Sequence, residues 1–345
     1  MSSQMASNQP SSSKNHIQTI AIVGATGQMG KHIIRGLLKN NKHQITALHR
    51  AGSNTDFPPS VKGALIDYSD PTTIVSALQG IDALVITMSV TAPPDQQSIL
   101  IRAAAQAGVK WIMPNEWGVG KDEKLGKDIF IGPKLAGYRK EIEDLGVSSW
   151  VGVACGFWYE YSLGAGINFY GFDFGNREVV FFDEGEEKIS TSTWPLAGQA
   201  AANLLGLKIL PDAPGAGNGE GDGDVTLSQF RNRHVHVSSF EVSQKDIFES
   251  VKRVTGTTEG DWNIRHEDSK TRYEGAVKAM QGGDRMGFGR AMYTRVFYPT
   301  GEGNHEAKSD NWLLQPLPKE NLDDYTRLGI ERFEAGGAGG SVAKD

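Results

Sequence analysis

Cysteine is nearly absent from this 345-residue chain: Cys155 stands alone, which excludes an internal disulfide and a cysteine-built zinc cage. Its surroundings, Val151-Gly-Val-Ala-Cys-Gly156, are small and apolar, the ordinary setting of a buried, inert thiol. Long apolar runs are also missing, and no window approaches the ~18 residues of a membrane span. Lys and Arg form no basic arm, and the formal net charge of -6 argues against a surface for nucleic-acid phosphates. Neither nucleic acid nor membrane is an expected partner. The N-terminus is rich in Ser, Asn and Gln without the apolar stretch of a secretory signal, so residues 1–16 are expected to be a disordered tail and the protein cytoplasmic. Two metal patterns fall short. Pro211–Asp224 lacks calcium-loop spacing, and His234-Val-His236 offers only two imidazoles on one strand face, so no metal is expected.

What is present is rhythm. Thr19-Ile-Ala-Ile-Val23 is short, β-branched and ends at glycine, as a buried parallel strand should. Met29, Ile33, Ile34, Leu37 and Leu38 then recur at helical spacing until Asn40-Asn41. Further strands are expected at Gln44–Leu48, Ala64–Ile66, Ala83–Thr87, Val109–Met113 and Ser149–Ala154. Helices are expected between them, one opening at Ser69-Asp70-Pro71 and others over Gln96–Ala107 and Lys134–Leu145. Sustained strand–helix alternation predicts an α/β fold: a Rossmann doubly wound parallel sheet over 17–155, whose ligand lies beyond the carboxyl ends of the strands.

The loop after the first strand, Gly24-Ala-Thr-Gly27-Gln-Met-Gly30, spaces three glycines as a dinucleotide-binding turn requires. Gly24 permits the turn, Gly27 a close backbone approach to a pyrophosphate, and Gly30 tight packing of helix on strand. Thr26, Gln28 and Met29 share that loop and helix start. An NAD site usually ends its second strand in Asp or Glu, but here the chain reads Ala47-Leu-His-Arg50 with no acid before Asp56. The Arg50 guanidinium suits a 2′-phosphate, which favours NADP(H). Asp67, after the third strand, suits an adenine contact or a turn cap, and Thr87, Met88 and Ser89 follow the fourth strand where a nicotinamide ribose would lie.

None of the nine tyrosines has lysine four residues on, so the Tyr-x-x-x-Lys pair of ordinary short-chain reductases is missing. This absence, the glycine loop and Arg50 together resemble the atypical short-chain family of isoflavone-reductase-like and NmrA-like proteins, of the fungal type. The likeness covers residues 17–165 and includes Asn115-Glu116-Trp117-Gly118, Gly132-Pro133-Lys134 and Gly156-Phe-Trp-Tyr-Glu-Tyr-Ser162. It implies a lysine on the helix after Gly132-Pro133 that serves as general acid or base and touches the nicotinamide ribose. Lys134 is its counterpart, although counting back from Ile142-Glu143 places the family's position on Leu135. Tyr138 lies one helical turn on, and Glu160, set among aromatics, is a third candidate acid.

After Cys155 the composition shifts to aromatics and glycine. Phe157-Trp-Tyr-Glu-Tyr161 and Phe169-Tyr-Gly-Phe-Asp-Phe174 show no clean periodicity and are expected as loops, either walling a flat apolar substrate or forming a small core. Glu116, Trp117, Phe157, Trp158 and Tyr159 are the expected substrate contacts. Glu178–Phe182 and Lys188–Thr191 suggest a hairpin, Pro195–Leu207 a helix returning to the first domain, and residues 334–345 a flexible tail. Residues 156–333 would form a smaller mixed α/β substrate region with segments returning to the first domain, and the protein a monomer or homodimer. The expected function is NADPH-dependent reduction of an aromatic small molecule. An NADP-sensing regulator and a cofactor-binding cyclase or isomerase are the alternatives.

Overall fold

The computed structural model describes residues 5, 6, 14–89, 92–212 and 225–336. Most of the expected N-terminal tail, residues 213–224 of the Gly/Asp-rich loop and residues 337–345 of the C-terminal tail lie outside the described residues. Thr19–Val23 forms β1, whose successive side chains feed two cores: Ile20 and Ile22 join one, Ala21 and Val23 the other. A strand covered on both faces must be apolar throughout, which is why this run shows no polar alternation.

The chain continues through α1 (Gln28–Asn40), β2 (Gln44–His49), β3 (Val61–Leu65), α2 (Pro71–Ala77), β4 (Ala83–Ile86) and α3 (Gln96–Ala107). Then come β5 (Trp111–Met113), α4 (Glu123–Asp128), α5 (Gly132–Leu145) and β6 (Ser149–Ala154). Local chemistry sets these ends. The Asp70 carboxylate accepts from the Thr72 amide and Pro71 opens α2, while Gly108 and Gly146 close α3 and α5 in the left-handed conformation. The third strand begins three residues earlier than its apolar residues suggested, because Val61 to Leu65 pair with β2 through backbone groups.

The second half contributes β7 (Phe157–Trp158), α6 (Tyr159–Gly164), β8 (Phe172–Asp173), β9 (Glu178–Phe182), β10 (Ile189–Ser192) and α7 (Trp194–Leu205). It ends with β11 (Arg233–His236), β12 (Phe240–Val242), α8 (Gln244–Thr255), β13 (Asn263–Glu267), α9 (Ser269–Gln281), α10 (Arg285–Val296) and α11 (Leu322–Glu334). The main sheet runs β3-β2-β1-β4-β5-β6-β11, every neighbouring pair parallel. Helices α1 and α7 cover one face; α2, α3 and α5 cover the other. The fold is doubly wound, and strand order reverses between β1 and β4, where the connections part and leave a crevice.

Two smaller sheets, β12-β10-β7 and β13-β9-β8, form the second lobe. The expected hairpin between residues 178–182 and 188–191 does not form. β9 pairs with β8 and β13 instead, and β10 with β7 and β12. The aromatic segment Phe157–Tyr161, expected as a loop, is instead β7 running into the start of α6. Burial among other aromatics stabilised regular structure that its own pattern does not announce.

Helix α7 lies directly on α1, and small residues set the spacing. A Cβ on Gly198 would come within 2.5 Å of the His32 carbonyl carbon, and one on Gly36 within 2.8 Å of the Ala202 methyl. Gly198→Val is therefore expected to force the helices apart and cost about 1–3 kcal/mol. Its denaturant midpoint should fall, with the slope unchanged, in an equilibrium unfolding titration.

Candidate active site

The crevice at the strand reversal is built around Thr87, just past β4. Its hydroxyl donates to the carbonyl of Val23 (2.7 Å) and approaches that of Gly24 (3.1 Å), clamping the end of β1 to the end of β4. Gly24 holds φ at 79°, and a Cβ there would lie 1.9 Å from the Thr87 carbonyl oxygen. A Cβ on Gly30 would lie 2.1 Å from the Gly24 carbonyl oxygen. Both glycines are thus demanded by space. α1 begins at Gly27 with no side-chain cap and no acidic residue in its first turn, so its N-terminal amides and positive dipole end are left for an anion.

A groove of about 310 Å³ runs from this helix start across the ends of β1, β2 and β4, bordered by Gly24, Thr26, Arg50, Thr87, Met88 and Ser89. No acidic side chain is among its described lining residues. Arg50 is exposed at the end of β2, beside Ser53 and Asn54 on the rim. The glycine cradle, the uncapped helix and the guanidinium fit a dinucleotide carrying pyrophosphate and a further phosphate.

A second cavity, of about 240 Å³, shares Met88, Ser89, Ala92 and Pro93 with the groove. The Asn115 side chain fixes this shared edge: its Nδ2 donates to the Met88 carbonyl and its Oδ1 accepts the Met88 amide, each at 3.1 Å. The Trp117 indole N–H donates to the Ile86 carbonyl at 2.9 Å. Trp117, Trp158, Ile129, Ile131 and Leu135 give the cavity apolar walls, and Gly118, Gly126 and Gly132 leave backbone surface between them. Lys134 stands exposed on the rim, its Nζ 5.8 Å from the centre of the Tyr138 ring. Lys134 and Leu135 both line the cavity, so either register of the expected lysine position faces the same space.

Glu116, a further wall residue, is buried. Its Oε2 accepts from Arg139 on α5 and pairs with His234 Nε2 on β11 at 3.0 Å. The His234 ring rests edge-on to Trp150, and the Arg139 guanidinium covers the same indole. One carboxylate therefore ties β5's loop to α5 and to the outermost strand. Breaking such a buried pair by removing one partner costs about 3–5 kcal/mol.

Several expected site residues lie elsewhere. Tyr159 is fully buried in the second-lobe core with its hydroxyl on Thr326, and it lines neither the groove nor the pocket. Phe157 stacks on Tyr293 at 4.1 Å and does not line the pocket; Trp158 does. Tyr138 reaches the pocket with its ring, but its hydroxyl is spent on the Pro94 carbonyl at 2.6 Å, which makes it an anchor of the rim. Met29 is buried in the sheet core and presents no side chain to the groove, while Gln28 is half-buried at the start of α1. Asp67 turns its carboxylate to the amide and hydroxyl of Ser69, which hold it below its ordinary range, and the groove is bordered instead by Ile66 and Tyr68. Glu160 lies outside the pocket wall, its Oε1 accepting from the Trp194 amide at 2.9 Å at the start of α7. Of the residues that shape the site, Gln97 and Arg139 were missed in the sequence, His234 was weighed there only as a metal ligand, and Asn115 was noted only as part of the segment Asn115–Gly118. Only Asn115, beside Glu116, carried a local signal.

A family model described as NAD(P)H-binding matches residues 24–148. An oxidoreductase of Aspergillus flavus, aprR, is 25% identical over 315 residues, 88% of this chain and 96% of that protein. Among solved structures, an isoflavone reductase superposes with a TM-score of 0.67 at 20% identity, covering 91% of this chain and 99% of the other. AtPrR2, solved with NADP+ and (+)pinoresinol, superposes with a TM-score of 0.68 at 16% identity over 91% and 99%. At these identities the solved structures share the fold. No helix among the described residues is long and apolar enough to cross a membrane.

Burial pushes the Glu160 carboxyl from 4.5 up to about 8, against the stabilising bond from the Trp194 amide. The folded state therefore keeps a proton that the unfolded chain releases. The associated stability is whole below pH 4.5 and is lost as pH rises through about 8. Glu160→Gln, shaped like the protonated acid, should be spared this loss. Across unfolding titrations from about pH 5 to about pH 8.5, wild type should weaken relative to the variant. A constant difference would refute the assignment.

Proposed function

We propose that this chain, a member of the isoflavone-reductase-like, NmrA-like family of NAD(P)H-binding oxidoreductases, is an NADPH-dependent reductase of an aromatic or heterocyclic small molecule of secondary metabolism. The observation that carries this reading is the shared edge at Met88, Ser89, Ala92 and Pro93, through which a dinucleotide groove opens into an apolar pocket. Arg50 and the acid-free lining of the groove support NADPH over NADH.

When bound, NADPH supplies a hydride from C4 of its nicotinamide. The chain's own residues supply the rest. Thr87, Met88 and Ser89 border the junction of the two cavities. Trp117 and Trp158 orient a flat ring, and Ile129 and Ile131 keep water from it. Lys134 holds a proton at Nζ on the rim and, open to solvent, regains it between turnovers. The cytoplasm is the proposed location.

The engagement of Tyr138 by Pro94 favours one rival, an NADP-sensing regulator without turnover, because it removes a phenol from proton transfer. NADPH deuterated at C4, one face at a time, separates the two when incubated with the protein and a small-molecule extract of its source. Label in a product is the expected result, and tight cofactor binding with no labelled product would favour the regulator.

Two variants test the residues. Lys134→Met should bind NADPH normally and lose about 10²–10⁴-fold in kcat, the share of a positioned proton donor. Arg50→Ala should weaken NADPH at least about tenfold while leaving NADH nearly unchanged. An unaltered cofactor preference would remove Arg50 from phosphate recognition.

A further inference from the structure

The dinucleotide groove ends over β2 and β3, where the sequence offers the Asp67 carboxylate to an adenine amino group. The turn after β3 engages that residue on its own account. The Asp67 amide donates to Thr73 Oγ1 at 2.9 Å, and its carbonyl accepts from the Asp70 amide at 3.2 Å. Its Oδ1 accepts from the amide and the hydroxyl of Ser69 at 2.8 and 2.7 Å. Asp67 is exposed on the turn and does not line the groove, whereas its neighbours Ile66 and Tyr68 do.

Two half-buried rings border this end instead. Phe57, on the connection between β2 and β3, packs on the core beneath α1 and α7, and Tyr68 packs on the opposite core, beneath α2 and α3. Both line the groove, so one ring comes from each face of the sheet to the carboxyl ends of β2 and β3. The His49 ring is turned onto Phe57, with centroids 6.0 Å apart. Gly63 on β3 makes room for that pair, since a Cβ there would lie 3.3 Å from His49 Nε2 and 3.5 Å from Phe57 Cε2. The Arg50 guanidinium lies near enough to Tyr68 for its charge to oppose the rise that burial imposes on the phenol. Base end and phosphate-binding cation are thus neighbours.

An aromatic face accepts any flat base, because every base has a π-face, whereas a carboxylate reads the donors on a base's edge. We infer that the cofactor's adenine is held by the ring faces of Phe57 and Tyr68 with no carboxylate on its 6-amino group. The chain therefore takes adenine and hypoxanthine dinucleotides alike and places its selectivity in the 2′-phosphate. Exchanging the amino group for a carbonyl leaves the stacking area nearly unchanged, but it would set a carboxylate against an oxygen with no proton to give. The inference rests on the NADP(H) reading of the groove and is independent of turnover.

Calorimetric titration of the oxidised cofactor, without substrate, tests this. Wild type should bind NADP+ and nicotinamide hypoxanthine dinucleotide phosphate within about threefold of each other. A preference for NADP+ of about tenfold or more, the worth of a hydrogen bond to a carboxylate, overturns the inference. Tyr68→Leu and Phe57→Leu, checked for folding by their thermal transitions, should each weaken both dinucleotides by at least about fivefold, the loss of one stacking face. Tyr68→Phe keeps the ring and should stay within about twofold of wild type, as should Asp67→Asn. Unaltered affinity in both leucine variants overturns the inference. So does a loss of about tenfold, confined to NADP+, in Tyr68→Phe or Asp67→Asn, because either assigns the base to an edge contact. The comparison of two dinucleotides on wild type needs no variant and decides the matter even if one fails to fold. The readings also fail separately. Binding of neither dinucleotide removes the cofactor assignment together with this inference, whereas discrimination between the bases by a protein that binds NADP+ removes this inference alone.

Discussion

The Thr87 hydroxyl, bonded to the carbonyls at the end of β1, is the contact on which the rest of the site depends. It draws two strand ends together where the sheet's connections diverge. That approach leaves no room for a side chain at Gly24, and the resulting turn leaves none at Gly30. α1 then starts close against the sheet, its first turn without a side-chain cap. The residues immediately after Thr87 become the common border of groove and pocket, held in place by the pair of hydrogen bonds between the Asn115 side chain and the Met88 backbone. Groove and pocket thus share one mechanical cause.

A second constraint works at right angles to the first. Glu116 gathers Arg139 from α5 and His234 from β11, so the helix that carries Lys134 is referenced to the outermost strand of the sheet. Buried ion pairs are weak sources of net stability but strict about geometry, since a misplaced partner leaves a bare charge in the interior. The positions of Lys134, Leu135 and Tyr138 along the pocket rim therefore inherit their precision from a carboxylate on another element.

Much of this was legible in the sequence where the physics is local. The unbroken apolar run of β1, the glycine spacing at 24, 27 and 30, and Pro71 after a capping Asp70 each describe short-range requirements, and each appears as expected. The second lobe was harder to read because its order comes from distant partners. Tyr159 looked like a substrate wall, yet Thr326, far along the chain, takes its hydroxyl into the core. Residues 178–182 and 188–191 looked like partners, yet β13 and β12 claimed them. Gln97 and His234 became site residues only when folding brought α3 and β11 beside the loop after β5, a juxtaposition no spacing pattern encodes.

The position of β11 also has a consequence for how the chain is made. The dinucleotide crevice is finished early, by residues up to β6, but the sheet's edge beside β6 stays open until residues 233–236 have been synthesised and docked. α7, which shields one face of the sheet through its contact with α1, arrives late as well. A nascent chain therefore passes through a stage with an unpaired parallel edge and an uncovered apolar face, the two features most prone to adventitious association. Early occupation of the crevice by its nucleotide would stabilise that half-built sheet, giving the ligand a part in biogenesis as well as in chemistry.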